Sequence, residues 1–86
     1  MDAGFRKKFI KQFSKLPKKV QEHFYERLDL FKDDPFDPML NNHELSGVLK
    51  NVRSINITGD IRAIYEQVGE NRALFLKIGN HNNLYN

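Results

Sequence analysis

Phe5, Phe9 and Phe13 stand four residues apart, Leu16 follows three later, and most positions between them are lysine or polar. That spacing draws a single apolar stripe down a helix and leaves the other side charged. Pro17 cannot continue the helix, but it suits the first turn of a new one, where its missing N–H has no partner to lose. Val20, Phe24, Leu28 and Phe31 then repeat the spacing until Asp33-Asp34-Pro35 breaks it. Residues 6–33 are therefore predicted to form a helical hairpin with two aromatic-rich faces.

The segment DDPFDPMLNN has no period and holds two prolines among Asp and Asn, so it is predicted to be a connector. His43-Glu44-Leu45-Ser46-Gly47 follows, with Gly47 the expected turn. From there the period changes to two. Residues 51–57 place Arg53, Ile55 and Ile57 on one face and Val52, Ser54 and Asn56 on the other. Thr58-Gly59-Asp60 and Gly69-Glu70-Asn71 are turn candidates that separate strands at 62–68 and 72–78. Tight turns between three strands imply an antiparallel meander. The last strand, Ala73-Leu74-Phe75-Leu76-Lys77-Ile78, is apolar on both faces and is expected to be central and covered twice. A short further strand at 2–5 is also possible. The predicted fold class is α+β, a helical hairpin packed on a small, mostly antiparallel, curved sheet. Phe9, Phe13, Phe24, Leu28, Ile55, Leu74 and Leu76 form the expected core.

Length and composition narrow this picture. With 86 residues there is room for one domain, 1–86, and one modest core. The chain has no cysteine, which excludes a disulfide scaffold or a Cys-based zinc site. No run approaches the ~20 apolar residues of a membrane span. MDAGFRKKFIKQF lacks the continuous apolar segment of a signal peptide, so a soluble cytoplasmic protein is expected, with no membrane partner. Net charge is +3, and half of the 14 Lys and Arg residues fall within the first 19 positions. Lys7, Lys8, Lys11, Lys15, Lys18 and Lys19, with Arg6, make a patch suited to a polyanion. The plainer reading of that patch is the solvated side of an amphipathic helix.

Polar groups that the core does not need collect at the turns and strand ends. His43 precedes the first long strand. Asp60 and Arg62 open the second, their i, i+2 spacing placing both on one face. His81 and Tyr85 follow the third, with the i, i+4 spacing of neighbours on a helical turn. These side chains suit RNA cleavage through the ribose 2′-hydroxyl. A histidine serves as acid or base near neutral pH. An arginine supplies permanent charge and a fork of donors for phosphate oxygens. Against this stand plainer readings: surface histidines, an Asp60 that caps a turn, an Arg62 that pairs with it. A metal site from His43, Asp60 and His81 has no helical ligand spacing behind it, and no metal or other cofactor is expected.

The stretches FRKKFIKQFSKLPKKVQ (5–21), HELSG (43–47), RSINITGDIRAIY (53–65) and IGNHNNLY (78–85) resemble the RelE/ParE superfamily of bacterial toxins, most closely its YafQ-like branch. The resemblance implies helices on a curved antiparallel sheet, and a toxin of a type II toxin–antitoxin system that cleaves mRNA on the translating ribosome. It implies His81 as the main acid/base histidine, Arg62 as the phosphate contact, and His43, Asp60 and Tyr85 as further functional positions. Arg53 and Asn56 join the lysine patch as expected RNA-binding residues. Asn56 stands where YafQ-like members often carry a histidine, and an amide does not transfer protons near neutral pH. The implied partners are a cognate antitoxin, mRNA on the ribosome, and operator DNA only through the antitoxin complex. A ParE-like inhibitor of DNA gyrase and a catalytically inactive co-repressor are the alternatives.

Overall fold

The computed structural model describes residues 1–45 and 50–85, the side chains of 83 and 85 excepted. The turn expected at Gly47 and the side chain of Tyr85 lie outside the described residues. The chain runs β1 (Asp2–Phe5), α1 (Lys7–Ser14), α2 (Lys18–Asp33), a 3-10 turn (Pro38–Leu40), β2 (His43–Glu44), β3 (Val52–Asn56), β4 (Ile61–Gln67), β5 (Arg72–Asn80) and α3 (His81–Tyr85). The strands form one sheet in the order β1-β5-β4-β3-β2. The β2–β5 ladders are antiparallel, whereas β1 pairs with β5 in parallel, Asp2 with Arg72 through Phe5 with Phe75.

The predicted hairpin forms with its stripes inward. Pro17 sits at the N-cap of α2, and Phe24, Leu28 and Phe31 are buried. Phe9 is the buried residue of α1, with Phe13 half-buried beside it. Their rings meet the sheet at Phe75, whose centroid lies 5.7 Å from Phe9, 5.9 Å from Phe24 and 5.5 Å from Phe31. β1 ends at Phe5, so the last residues of β5 have no strand on that side. Gln12 of α1 takes over there: its Oε1 accepts from the Ile78 backbone N–H at 3.0 Å.

Two expectations change. Leu74 and Leu76 are not part of the helix-side core, which β5 supplies instead through Ala73, Phe75 and Ile78. Leu76 packs on the opposite face. The cause is alternation: Ala73 and Phe75 face the helices, so Leu74 and Leu76 face away, and a bulge at Leu76, between the Tyr65–Phe75 and Ile64–Lys77 pairs, then resets the alternation so that Ile78 returns to the helix side. A bulge of this kind also bends the strand and increases twist. Gly79, expected as the exit from the last strand, instead lies within β5 opposite Arg62. Among the described residues the left-handed glycine is Gly69, in the β4–β5 turn.

The sheet therefore has two unlike faces. The helices cover Ile55, Ile57, Ala63, Tyr65, Ala73, Phe75 and Ile78. On the other face Val52, Ile64 and Leu84 form a smaller cluster with Leu45 and Leu76. Leu84, only 6% exposed, fixes α3 to that face. Among the described residues no helix is long and apolar enough to cross a membrane.

Candidate active site

The face that carries the small cluster changes character along its strands. On β3 the residues on this face run Val52, Ser54, Asn56, from apolar to polar toward the end of the sheet where α3 begins. Register fixes what meets what. Asn56 pairs with Arg62, and Arg62 with Gly79. Gly79 is buried and has no side chain, so β5 presents only backbone opposite Arg62. Ile61 pairs with Asn80 as the last rung of the β4–β5 ladder. Asp60 precedes this rung in the chain and His81 follows it. The pairing therefore sets the start of β4, with Arg62 one rung inward, against the end of β5.

Local contacts remove two plainer readings. The β3–β4 turn is capped by Thr58, whose Oγ1 accepts from the N–H groups of Asp60 at 3.2 Å and Ile61 at 3.0 Å. The exposed Asp60 carboxylate is thus not the group that holds the turn. Nor is Arg62 ion-paired with it. Arg62 lays its Nη1 on the carbonyls of Thr58 at 2.8 Å and Ile61 at 3.2 Å. A guanidinium has five N–H donors, so this anchors the group and leaves donors for an anion.

His43 pairs with Ser54 on β3, in a row continued by Ile64 and Lys77. It stands one diagonal step from Asn56, about 7–8 Å in an antiparallel sheet. Its Nδ1 lies 2.9 Å from the carbonyl oxygen of Asn41. A carbonyl only accepts, so in neutral His43 the proton is on Nδ1 and Nε2 carries the lone pair. The Ser54 hydroxyl, on a residue with no exposed surface, and the Oδ1 of Asn56 are both buried without a hydrogen-bond partner. Each such group costs about 1–3 kcal/mol, and both lie between His43 and Arg62.

Arg53 occupies the other face, opposite Tyr65. Its Nε donates to Asn42 Oδ1 at 2.6 Å and its guanidinium lies 5.2 Å from the centre of the Phe36 ring. Lys7, Lys8, Lys11, Lys15, Lys18 and Lys19 are all exposed. Of these only Lys15 lines the cleft of ≈ 290 Å³ at the end of the sheet, with Gln12, Leu16, Ile61, Ile78, Gly79 and Asn80. Lys77 escaped the sequence reading, although its signal was present as the one charge inside an apolar strand. Among the described residues no three His, Asp or Glu side chains come together to hold a metal ion.

Solved structures with this architecture are bacterial and archaeal toxins. A chain of the Escherichia coli DinJ–YafQ toxin–antitoxin complex matches with a TM-score of 0.82 at 19% identity, over 99% of this chain and 97% of that one. An archaeal RelE–RelB complex from Pyrococcus horikoshii OT3 matches at 0.73 and 22%, over 92% of each chain. A copper-bound mutant toxin from Helicobacter pylori matches at 0.71 and 27%, over 99% of each. No curated protein matches in sequence. The fold is thus that of the RelE-type toxins. The chain belongs to the YafQ family, described as a bacterial toxin of type II toxin–antitoxin systems, whose model matches residues 1–86.

Proposed function

We propose that this toxin is an endoribonuclease that cuts mRNA on the ribosome by attack of a ribose 2′-hydroxyl on the adjacent phosphate. The observation that carries the reading is the Ile61–Asn80 rung, which sets the chain just after Asp60 against the chain just before His81, with Arg62 one rung inward. In the reaction the O2′–P bond forms and the P–O5′ bond breaks, leaving a 2′,3′-cyclic phosphate and a 5′-hydroxyl. His81 gives its proton to the departing O5′, and Asp60 takes the 2′ proton. Arg62 and Lys77 offset charge on the phosphorane. His43, through Nε2, holds the RNA as a hydrogen-bond acceptor farther along the face, and Asn56, paired with Arg62, is a further RNA-binding position. The resemblance adds Tyr85 as a further functional position, and Lys15 with the neighbouring lysines draws the polyanion in.

Membership of a toxin–antitoxin family and the likeness to two toxin–antitoxin complexes support a cognate antitoxin as the neutralising partner. Operator DNA enters only through that complex, and the toxin acts in the cytoplasm. The test is to express the chain and map mRNA 5′ ends on ribosomes beside a gyrase supercoiling assay. New 5′ ends within translated codons and unaffected supercoiling are expected. Inhibited supercoiling with intact mRNA would replace the nuclease with the gyrase inhibitor.

A further inference from the structure

We propose that Asn42, Arg53 and Tyr65 are positioning residues for His43, acting from the opposite face of the sheet to fix which ring nitrogen meets the RNA. The proposal rests on the nuclease reading for what His43 does, but not for how it is held.

Asn42 uses its whole side-chain amide. Nδ2 donates to the Pro35 carbonyl at 2.9 Å and to the Tyr65 hydroxyl at 2.8 Å, while Oδ1 accepts from Arg53 Nε. Each partner is itself held by further contacts. Tyr65 is fully buried, its ring 5.0 Å from Phe31 and 5.5 Å from Phe75. Burial pushes its hydroxyl above the ordinary tyrosine range, against the opposing effects of Asn42 and Arg53, so it stays protonated at neutral pH. Arg53 is held between Asn42 and the Phe36 ring. Pro35 belongs to a connector tied by side-chain oxygens: Asp34 Oδ1 accepts from Phe36 N and Asp37 Oδ1 from Met39 N.

The consequence falls on one peptide unit. Asn42 supplies the nitrogen of the Asn41–Asn42 peptide, and the carbonyl of that peptide receives His43 Nδ1. Asn41 is in the left-handed region at φ 44, a conformation asparagine tolerates better than most residues. Clamping the Asn42 side chain thereby aims the Asn41 carbonyl. That carbonyl holds the Nδ1 proton and leaves Nε2 as the acceptor. Strand alternation does the rest, with Asn42 toward the helices and His43 toward the RNA face.

The experiment is nitrogen-15 NMR of the histidine rings in the full chain, with single-turnover cleavage and thermal melts on the same variants. In the wild type His43 should show the Nδ1–H form, with His23 as an internal control. Asn42→Ala and Tyr65→Phe should shift His43 toward a mixture of tautomers without unfolding the protein. Asn42→Ala should slow cleavage roughly 10–100-fold, the scale known for residues that orient a metal-bound histidine. Asn42→Asp, which still accepts from Arg53 and now accepts from the Tyr65 hydroxyl but no longer donates to the Pro35 carbonyl, should recover part of the rate. In a His43→Ala background Asn42→Ala should cost nothing more. If Asn42→Ala leaves the tautomer unchanged, or its loss adds in full to that of His43→Ala, the residues are structural and the proposal fails. Should Asn42→Ala not fold, Tyr65→Phe, which keeps the buried ring, decides by the same spectrum. The spectrum needs no cleavage, so a wild type that cuts nothing overturns the nuclease reading and leaves this inference to its own result.

Discussion

Replacing His81 with alanine is expected to lower single-turnover cleavage of ribosome-bound mRNA by ~10²–10⁴-fold, the usual contribution of general acid–base catalysis, and to abolish growth arrest. The 2′-hydroxyl is a weak acid and the 5′ alkoxide a poor leaving group, so the uncatalysed reaction is slow at both ends. His81 follows Asn80, the β5 residue on the last rung of the β4–β5 ladder. The fold should survive, because the side chain is exposed and α3 is fixed to the sheet through the buried Leu84. A variant that melts like the wild type but cuts a hundredfold or more slower assigns the residue to chemistry. One that keeps full cleavage and toxicity removes it from the site and brings the gyrase inhibitor forward.

The largest effect on stability should come from Phe24→Ala, at about 3–5 kcal/mol for a well-packed aromatic. Phe24 is 1% exposed. Its ring centroid lies 5.2–6.2 Å from those of Phe5, Phe9, Phe13, Tyr25 and Phe75. Truncation therefore removes the ring shared by both helices, β1 and β5 at once. The groove of ≈ 210 Å³ lined by Phe5, Phe9, Ile10, Phe13, Phe24 and Tyr25 would enlarge rather than collapse, since β1 and β5 are hydrogen-bonded in place. Chemical denaturation gives the number, and a loss under ~1 kcal/mol would mean that α2 presents a different face to the sheet.

The helices were legible because their apolar residues recur with one period and Pro17 marks the break. β3 was legible because a half-covered strand alternates, with Ile55 and Ile57 to the helices and Val52 to the other side. β5 was not, because apolar residues on both faces give no parity, and the bulge at Leu76 leaves no mark in composition. The same shift concealed Lys77, whose face depends on it. Gly79 was read as a stop because glycine often ends a strand, yet here Arg62 pairs across it. Arg53 alternates correctly, but alternation puts it on the helix face. Only the connector, which has no period, brings Asn42 and Phe36 to it. The residues of the site were readable one by one as chemistry without a core role. The alignment of the start of β4 with the end of β5 was not, since the pairing of Ile61 with Asn80 is a long-range fact that local sequence does not encode.

The chemistry proposed for this face has one requirement no other can replace, the ribose 2′-hydroxyl at the point of cleavage. The direct measurement is single-turnover cleavage by the wild-type toxin of two ribosome-bound mRNAs, identical except for a 2′-deoxy sugar at the mapped scissile position. The all-ribose message should be cut there to give a 2′,3′-cyclic phosphate and a 5′-hydroxyl, and the 2′-deoxy message should stay intact at that position. Equal cleavage of both, with a 5′-phosphate on the downstream fragment, would mean that water rather than the ribose attacks, and the roles given to Asp60, Arg62 and His81 would be wrong.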